Sequence, residues 1–189
     1  MKDLLHVYDD FYTNPHDVRN NAISQEFSVS GNYPGMRTDP VPEEHGQYLK
    51  TFFEENILHR KITYWPSEYN SAFQYTTQDC KTWVHHDATK WAGLIYLTPT
   101  PGSKSGTTIY SRVDNGVYEW DGTEETEYNY TSELTGDLSK WREELTIENR
   151  FNRLILYRGA LYHRSTTPGF GRSKFDGRLF QVFFFDTDY

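Results

Sequence analysis

The sequence predicts a mostly β protein with flanking helices, on three observations. Aromatic residues make up 17% of the 189 residues, with 15 Tyr, 12 Phe and 5 Trp, side chains that suit pleated, half-buried surfaces. From Ile62 onward, strand-length runs recur, punctuated by Gly and Pro around 98–102, 158–159 and 168–169. Ahead of them stand two segments whose apolar residues repeat at helical spacing.

Residues 4–12 read as a strand that ends at Thr13-Asn14-Pro15. Asn14 as N-cap with Pro15 at the first helical position starts a helix, and Val18, Ala22 and Ile23 give it an apolar stripe. Residues 28–42, with two Gly and three Pro, read as loop. A second helix follows Pro42, with Tyr48, Leu49, Phe52, Phe53 and Ile57 on one face. Both helices are expected to pack as scaffold against a sheet. The strands are expected at 71–77, 91–97, 107–110, 152–157 and 179–185. Short strands with tight turns fit a sandwich, barrel or jelly roll. The jelly roll is favoured because its open end admits a ligand between the sheets.

Residues 111–150 break this rhythm with 11 acidic against 4 basic residues. Within this acidic insert, 138–148 reads as a short helix with Leu138, Trp141 and Leu145 on one face. The stretch is either a solvated loop or a lid over the open end of the core. The whole chain, 1–189, reads as one domain carrying this insert.

Composition also bears on partners. A net charge of −8 makes nucleic acid a poor candidate, because a phosphate backbone needs a basic face. The single Cys80 forbids an intrachain disulfide and points to a reducing compartment. No run reaches the length of a membrane span, and the N-terminus lacks the apolar core of a signal peptide. A cytoplasmic protein with no membrane association is expected.

Chemistry concentrates in two stretches, Trp83-Val84-His85-His86-Asp87 and Leu161-Tyr162-His163. In an extended strand, alternate side chains share a face, so His85 and Asp87 converge while His86 turns away. Joined by His163, they make two imidazoles and one carboxylate, the facial triad with open positions that suits non-haem Fe(II). A His-x-Asp by itself is usually a solvated surface pair, and His86 stands as a reserve ligand.

These residues resemble the Fe(II)/2-oxoglutarate-dependent oxygenases, in particular their prolyl-hydroxylase-like branch. The family's His-x-Asp, distant His and following Arg match His85, Asp87, His163 and Arg178. The stretch Asn152-Arg-Leu-Ile-Leu-Tyr-Arg-Gly-Ala-Leu-Tyr-His163 is similar to its strand, turn and metal histidine, and Gly177-Arg178-Leu-Phe-Gln-Val-Phe-Phe-Phe185 to its closing strand. The resemblance covers most of the chain, residues 111–150 excepted. It implies a double-stranded β-helix (jelly-roll, cupin-like) core, with Fe(II), 2-oxoglutarate and O2 as cofactor and co-substrates. It implies hydroxylation of a small-molecule or peptide substrate, a prolyl or other amino-acid group among the options, coupled to formation of succinate and CO2. Arg178 takes the distal carboxylate of 2-oxoglutarate, and Tyr75 and Tyr96 add phenol hydrogen bonds. Phe180 departs from the family, which often has Ser there, and Arg172 competes with Arg178. Arg178 is preferred because its alternation partners Phe180, Val182 and Phe184 are apolar and line an interior, whereas Arg172 sits among loop residues. Asp87 argues against the family's halogenases, which leave that ligand position to halide. The other readings open to the sequence are a metal cupin that needs no 2-oxoglutarate and a jelly-roll binding module without catalysis.

Overall fold

The computed structural model describes residues 4–102, 104–123 and 132–188. Residues 124–131 of the acidic insert lie outside the described residues, and so do Met1–Asp3. In chain order the elements are β1 (Leu5–Tyr8), α1 (Pro15–Ser24), β2 (Met36–Arg37), α2 (Glu43–Phe52) running into a π-helical turn (Phe53–Leu58), β3 (Ile62–Tyr64), β4 (Phe73–Thr76), β5 (Trp91–Tyr96) and β6 (Gly106–Arg112). Then follow α3 (Ser132–Gly136), a 3-10 turn (Leu138–Lys140), β7 (Trp141–Glu148), β8 (Leu154–Arg158), β9 (His163–Ser165) and β10 (Arg178–Thr187).

The strands form two antiparallel sheets. The larger runs β1-β8-β5-β10-β4-β2, with β3 also on β10, and the smaller runs β7-β6-β9. Period-two alternation divides the larger sheet cleanly. Its outer face (Trp91, Ile95, Leu154, Leu156, Leu179, Phe183 and Phe185) packs on Ala22 of α1, Leu49 of α2 and Phe53, Ile57 and Leu58 of the π-helical turn. Its inner face (Ala92, Leu94, Tyr96, Ile155, Tyr157, Phe180 and Val182) meets Ile109 and Ile147 of the smaller sheet. The helices are therefore scaffold, and the space between the sheets is left for the site. Helix α1 opens with Pro15 at its first turn; the Asn14 carbonyl accepts from Asp17 and Val18, and the Asn14 side chain makes no capping bond.

The expected helix over 138–148 is corrected to one 3-10 turn followed by the edge strand β7. Its register on β6 runs Tyr110 opposite Glu143 and Ile109 opposite Leu145, so Glu144 is a bulge. The extra residue reverses the phase of the strand. Trp141 joins Val84, Tyr110 and Tyr162 in one cluster while Ile147 joins the core between the sheets. No helix among the described residues is long and apolar enough to cross a membrane.

Candidate metal centre and co-substrate cavity

His85 sits just outside the regular strands, in a single antiparallel bridge to His163. The His85 amide donates to the His163 carbonyl (2.9 Å) and the His163 amide to that of His85 (2.8 Å). Two imidazoles far apart in sequence are thus fixed to each other by their own backbones. The Asp87 amide donates to the carbonyl of Gly159 (2.8 Å), at the turn between β8 and β9, which fixes the third side chain. A Cβ at Gly159 would lie 2.0 Å from the Thr89 carbonyl oxygen, so only glycine admits this approach.

The three side chains converge. One ligand atom from each of His85, Asp87 and His163 lies within 4.8 Å of the others. The imidazole centroids are 4.3 Å apart, and His163 Nε2 is 3.3 Å from Asp87 Oδ2. Nδ1 of His85 contacts the Trp83 carbonyl (3.1 Å) and Nδ1 of His163 that of Leu161 (2.7 Å). A carbonyl can only accept, so each Nδ1 carries the proton and each Nε2 presents its lone pair to the common point. Burial, reinforced by the facing His163, pushes the His85 imidazole down to about 4, so it is neutral and ready to ligate at neutral pH. Burial works to raise the Asp87 carboxyl, yet the neighbouring imidazoles, His163 first with His85 and His86, together hold the group below its ordinary value. A nitrogen, nitrogen, oxygen donor set with carbonyl-anchored imidazoles fits a divalent first-row metal with positions open to the cavity. His86 turns from this point and stacks on Trp120 of the insert (4.6 Å, 20°).

The triad borders a cavity of about 870 Å³ between the sheets. Arg178 lies in its wall, 2% exposed, as the alternation of Phe180, Val182 and Phe184 predicts. One terminal nitrogen donates to the Gly106 carbonyl (3.2 Å), its Cζ lies 4.4 Å from the Phe180 ring centre, and its Nε is buried without a hydrogen-bond partner. No carboxylate among the described residues pairs with it. Burial lowers its pKa, with Tyr96 working against the shift. Arg172, the competing anchor, is exposed in a turn where its amide contacts the Asp176 carboxylate.

The two tyrosines expected on the co-substrate fall differently. Tyr96 is buried beside Arg178, their groups 5.4 Å apart, with its hydroxyl paired to Thr107 of the cavity wall (2.9 Å). Tyr75 does not match its expected role. On β4, Phe73 and Tyr75 face the helices, and Tyr75 packs edge-on against Phe27 (5.0 Å), whereas Gln74 faces the cavity. Tyr157 was missed. It lines the cavity with its ring 4.6 Å from that of His163, and burial, aided by Asp87, raises its phenol well above the ordinary value. Alternation puts Ile155 and Tyr157 on one face of β8, but the sequence does not say that this face is the one lining the cavity.

Sheets, cavity and converging ligands define a double-stranded β-helix protein with a candidate metal centre of two histidines and one aspartate. Within that class, the chain belongs to DUF6445, a family of unknown function whose model matches residues 2–185. No curated protein matches it in sequence. Among solved structures it is similar to HygX from Streptomyces hygroscopicus with nickel, 2-oxoglutarate and hygromycin B bound (TM-score 0.60, 11% identity, 98% of this chain and 83% of that one). It is also similar to a Trichoplax adhaerens prolyl hydroxylase in complex with a hypoxia inducible factor peptide fragment (TM-score 0.58, 15% identity, 98% and 84%). A Pseudomonas putida prolyl-4-hydroxylase gives a TM-score of 0.51 at 13% identity, with 96% and 91% covered. At these identities the likeness establishes the fold.

Proposed function

We propose that the chain is an Fe(II)/2-oxoglutarate-dependent oxygenase. His85, Asp87 and His163 hold the metal, and Arg178 receives the distal carboxylate of 2-oxoglutarate. One observation carries this reading: the triad shares a cavity with a buried guanidinium that has no acidic partner among the described residues. Burying an isolated cation is costly, and a dicarboxylate reaching across the cavity resolves that cost with charge-assisted hydrogen bonds. The HygX structure, with nickel and 2-oxoglutarate bound, supports the same cofactor set. When bound, iron with 2-oxoglutarate and O2 supplies the oxidant that hydroxylates a C–H bond, with succinate and CO2 as by-products. The protein's residues set the stage. Nδ1–H contacts fix both imidazoles, the phenyl rings of Phe180 and Phe184 line the carboxylate end and the metal end of the inner face, and Tyr157 stands against the His163 ligand.

An anaerobic titration of metal-free protein with Fe(II) and 2-oxoglutarate tests this. A visible charge-transfer band that needs both components is expected, and His163→Ala is expected to abolish it. Iron binding without the band would favour a metal cupin with other chemistry. A folded protein that binds neither would overturn the proposal.

A further inference from the structure

Arg178 is not the sole guanidinium facing the cavity. Arg37 of β2 also lines it and is 8% exposed. Its Nε donates to Gln74 Oε1 (2.7 Å), and Gln74 is itself held by a bond from Nε2 to the Pro34 carbonyl (2.6 Å). The guanidinium lies over the Tyr33 ring, 3.7 Å from its centre. Two contacts therefore fix its plane, while its two terminal nitrogens make no hydrogen bond and meet no carboxylate within ion-pair distance among the described residues. Burial pushes Arg37 down to about 10, so it stays charged at neutral pH.

The two cations sit at different depths. Arg37 leans toward Phe184, 5.5 Å from Cζ to the ring centre. Phe184 pairs with Ala92, and Ala92 with Tyr157, whose ring touches His163; this row is the metal end. Arg178 lies three inner-face steps away on β10, paired with Thr76 and beyond Phe180. One dicarboxylate reaching from the metal to Arg178 leaves Arg37 unmatched. Arg164, also in the wall, spends its guanidinium on the Ser165 and Thr166 carbonyls (2.9 and 3.1 Å). Among the described residues, the acidic groups facing the cavity are the metal ligand Asp87 and the exposed Glu68. Of the described residues of the acidic insert, Thr135 is the one in the wall, so none of the insert's described acidic residues sets the charge there.

We propose, resting on the oxygenase reading of the same site, that Arg37 selects a substrate bearing a carboxylate and holds that group beside the metal. The unused edge of a planar guanidinium offers two parallel N–H donors, which a carboxylate meets with both oxygens. Trp83, Tyr69 and Phe184 in the wall would pack on the rest of the molecule.

The test uses the anaerobic Fe(II)·2-oxoglutarate complex, titrated with benzoate and, as the neutral match, benzamide. Inorganic phosphate forms a third arm. Benzoate is expected to shift the charge-transfer band saturably without bleaching it, and benzamide to leave it in place. In Arg37→Gln the benzoate affinity is expected to fall by about tenfold or more, a charge-assisted contact being lost, with 2-oxoglutarate affinity moving far less. Arg37→Lys is expected to retain part of the preference and serves as the folded control. Equal response to benzoate and benzamide, or no response to either, would overturn the proposal. So would a preference for phosphate over benzoate, or one that survives Arg37→Gln. Loss of the 2-oxoglutarate band itself in Arg37→Gln but not in Arg37→Lys would assign Arg37 to the co-substrate and overturn it equally. Absence of the band in the unaltered protein would instead remove the oxygenase reading.

Discussion

Arg178 is buried in the wall of the cavity with one carbonyl bond, a phenyl ring and no carboxylate partner among the described residues. A guanidinium stays charged at any working pH, so its burial is tolerable only when an anion arrives. Arg178→Ala is therefore expected to weaken 2-oxoglutarate by roughly 10- to 150-fold, corresponding to about 1.5–3 kcal/mol for hydrogen bonds to a charged group. Metal affinity is expected to stay close to that of the unaltered protein, because no ligand leans on Arg178. Titration of each component separately in the visible range checks both halves. If Arg172→Ala shows this split instead, the anchor is misassigned. That Arg178 rather than Arg172 faces the cavity was legible in the sequence, since the apolar alternation partners of Arg178 require an inward face. The choice among tyrosines was not. Tyr75, Tyr96 and Tyr157 all sit in alternating runs, and with 15 Tyr in the chain nothing local says which face of its sheet is hollow.

At the scale of elements, the metal centre depends on backbone pairing rather than on any one strand. His85 and His163 bridge each other, and the turn at Gly159 holds the Asp87 amide. The close approach of this turn to Thr89 leaves no room for a methyl group. Gly159→Ala is expected to destabilise the fold by roughly 1–3 kcal/mol, the usual range for overpacking. It is also expected to weaken metal binding in the fraction that remains folded, because the displaced turn carries Asp87 with it. Calorimetry with and without metal separates the two effects; unaltered metal affinity would mean that Asp87 is positioned by other contacts. The same level shows why part of the fold was hidden. Helices α1 and α2 and the central strands β5, β8 and β10 were readable because each keeps one period over its whole length. Strand β7 does not. The bulge at Glu144 swaps its faces midway, which leaves Trp141 and Leu145 at a spacing that also suits a helix. As an edge strand it is mostly exposed, so burial adds no pattern of its own.

At the scale of the whole molecule, the ligands come from two sheets and the segment between them. Asp87 and His85 precede β5 of the larger sheet, His163 begins β9 of the smaller one, and Arg178 begins β10 of the larger. None of these residues is gathered in the unfolded chain, so metal and 2-oxoglutarate bind the folded state almost alone. Mass action then converts binding into stability, about 2.7 kcal/mol at a ligand concentration of 100 times Kd. For a domain of this length each kcal/mol is worth roughly 2–4 °C, so saturating metal is expected to raise Tm by roughly 5–10 °C. 2-Oxoglutarate is expected to add a further rise only when metal is present, since in this reading its 2-oxo acid end is held by chelation and not by Arg37. Thermal unfolding with Mn(II) as an oxygen-insensitive stand-in, with and without 2-oxoglutarate, reads this order directly. Asp87→Ala is expected to remove both rises, and Arg178→Ala the second alone. A 2-oxoglutarate rise that survives without metal would place the dicarboxylate at the arginines independently of the triad, and the cavity would then be an anion-binding site rather than a catalytic one.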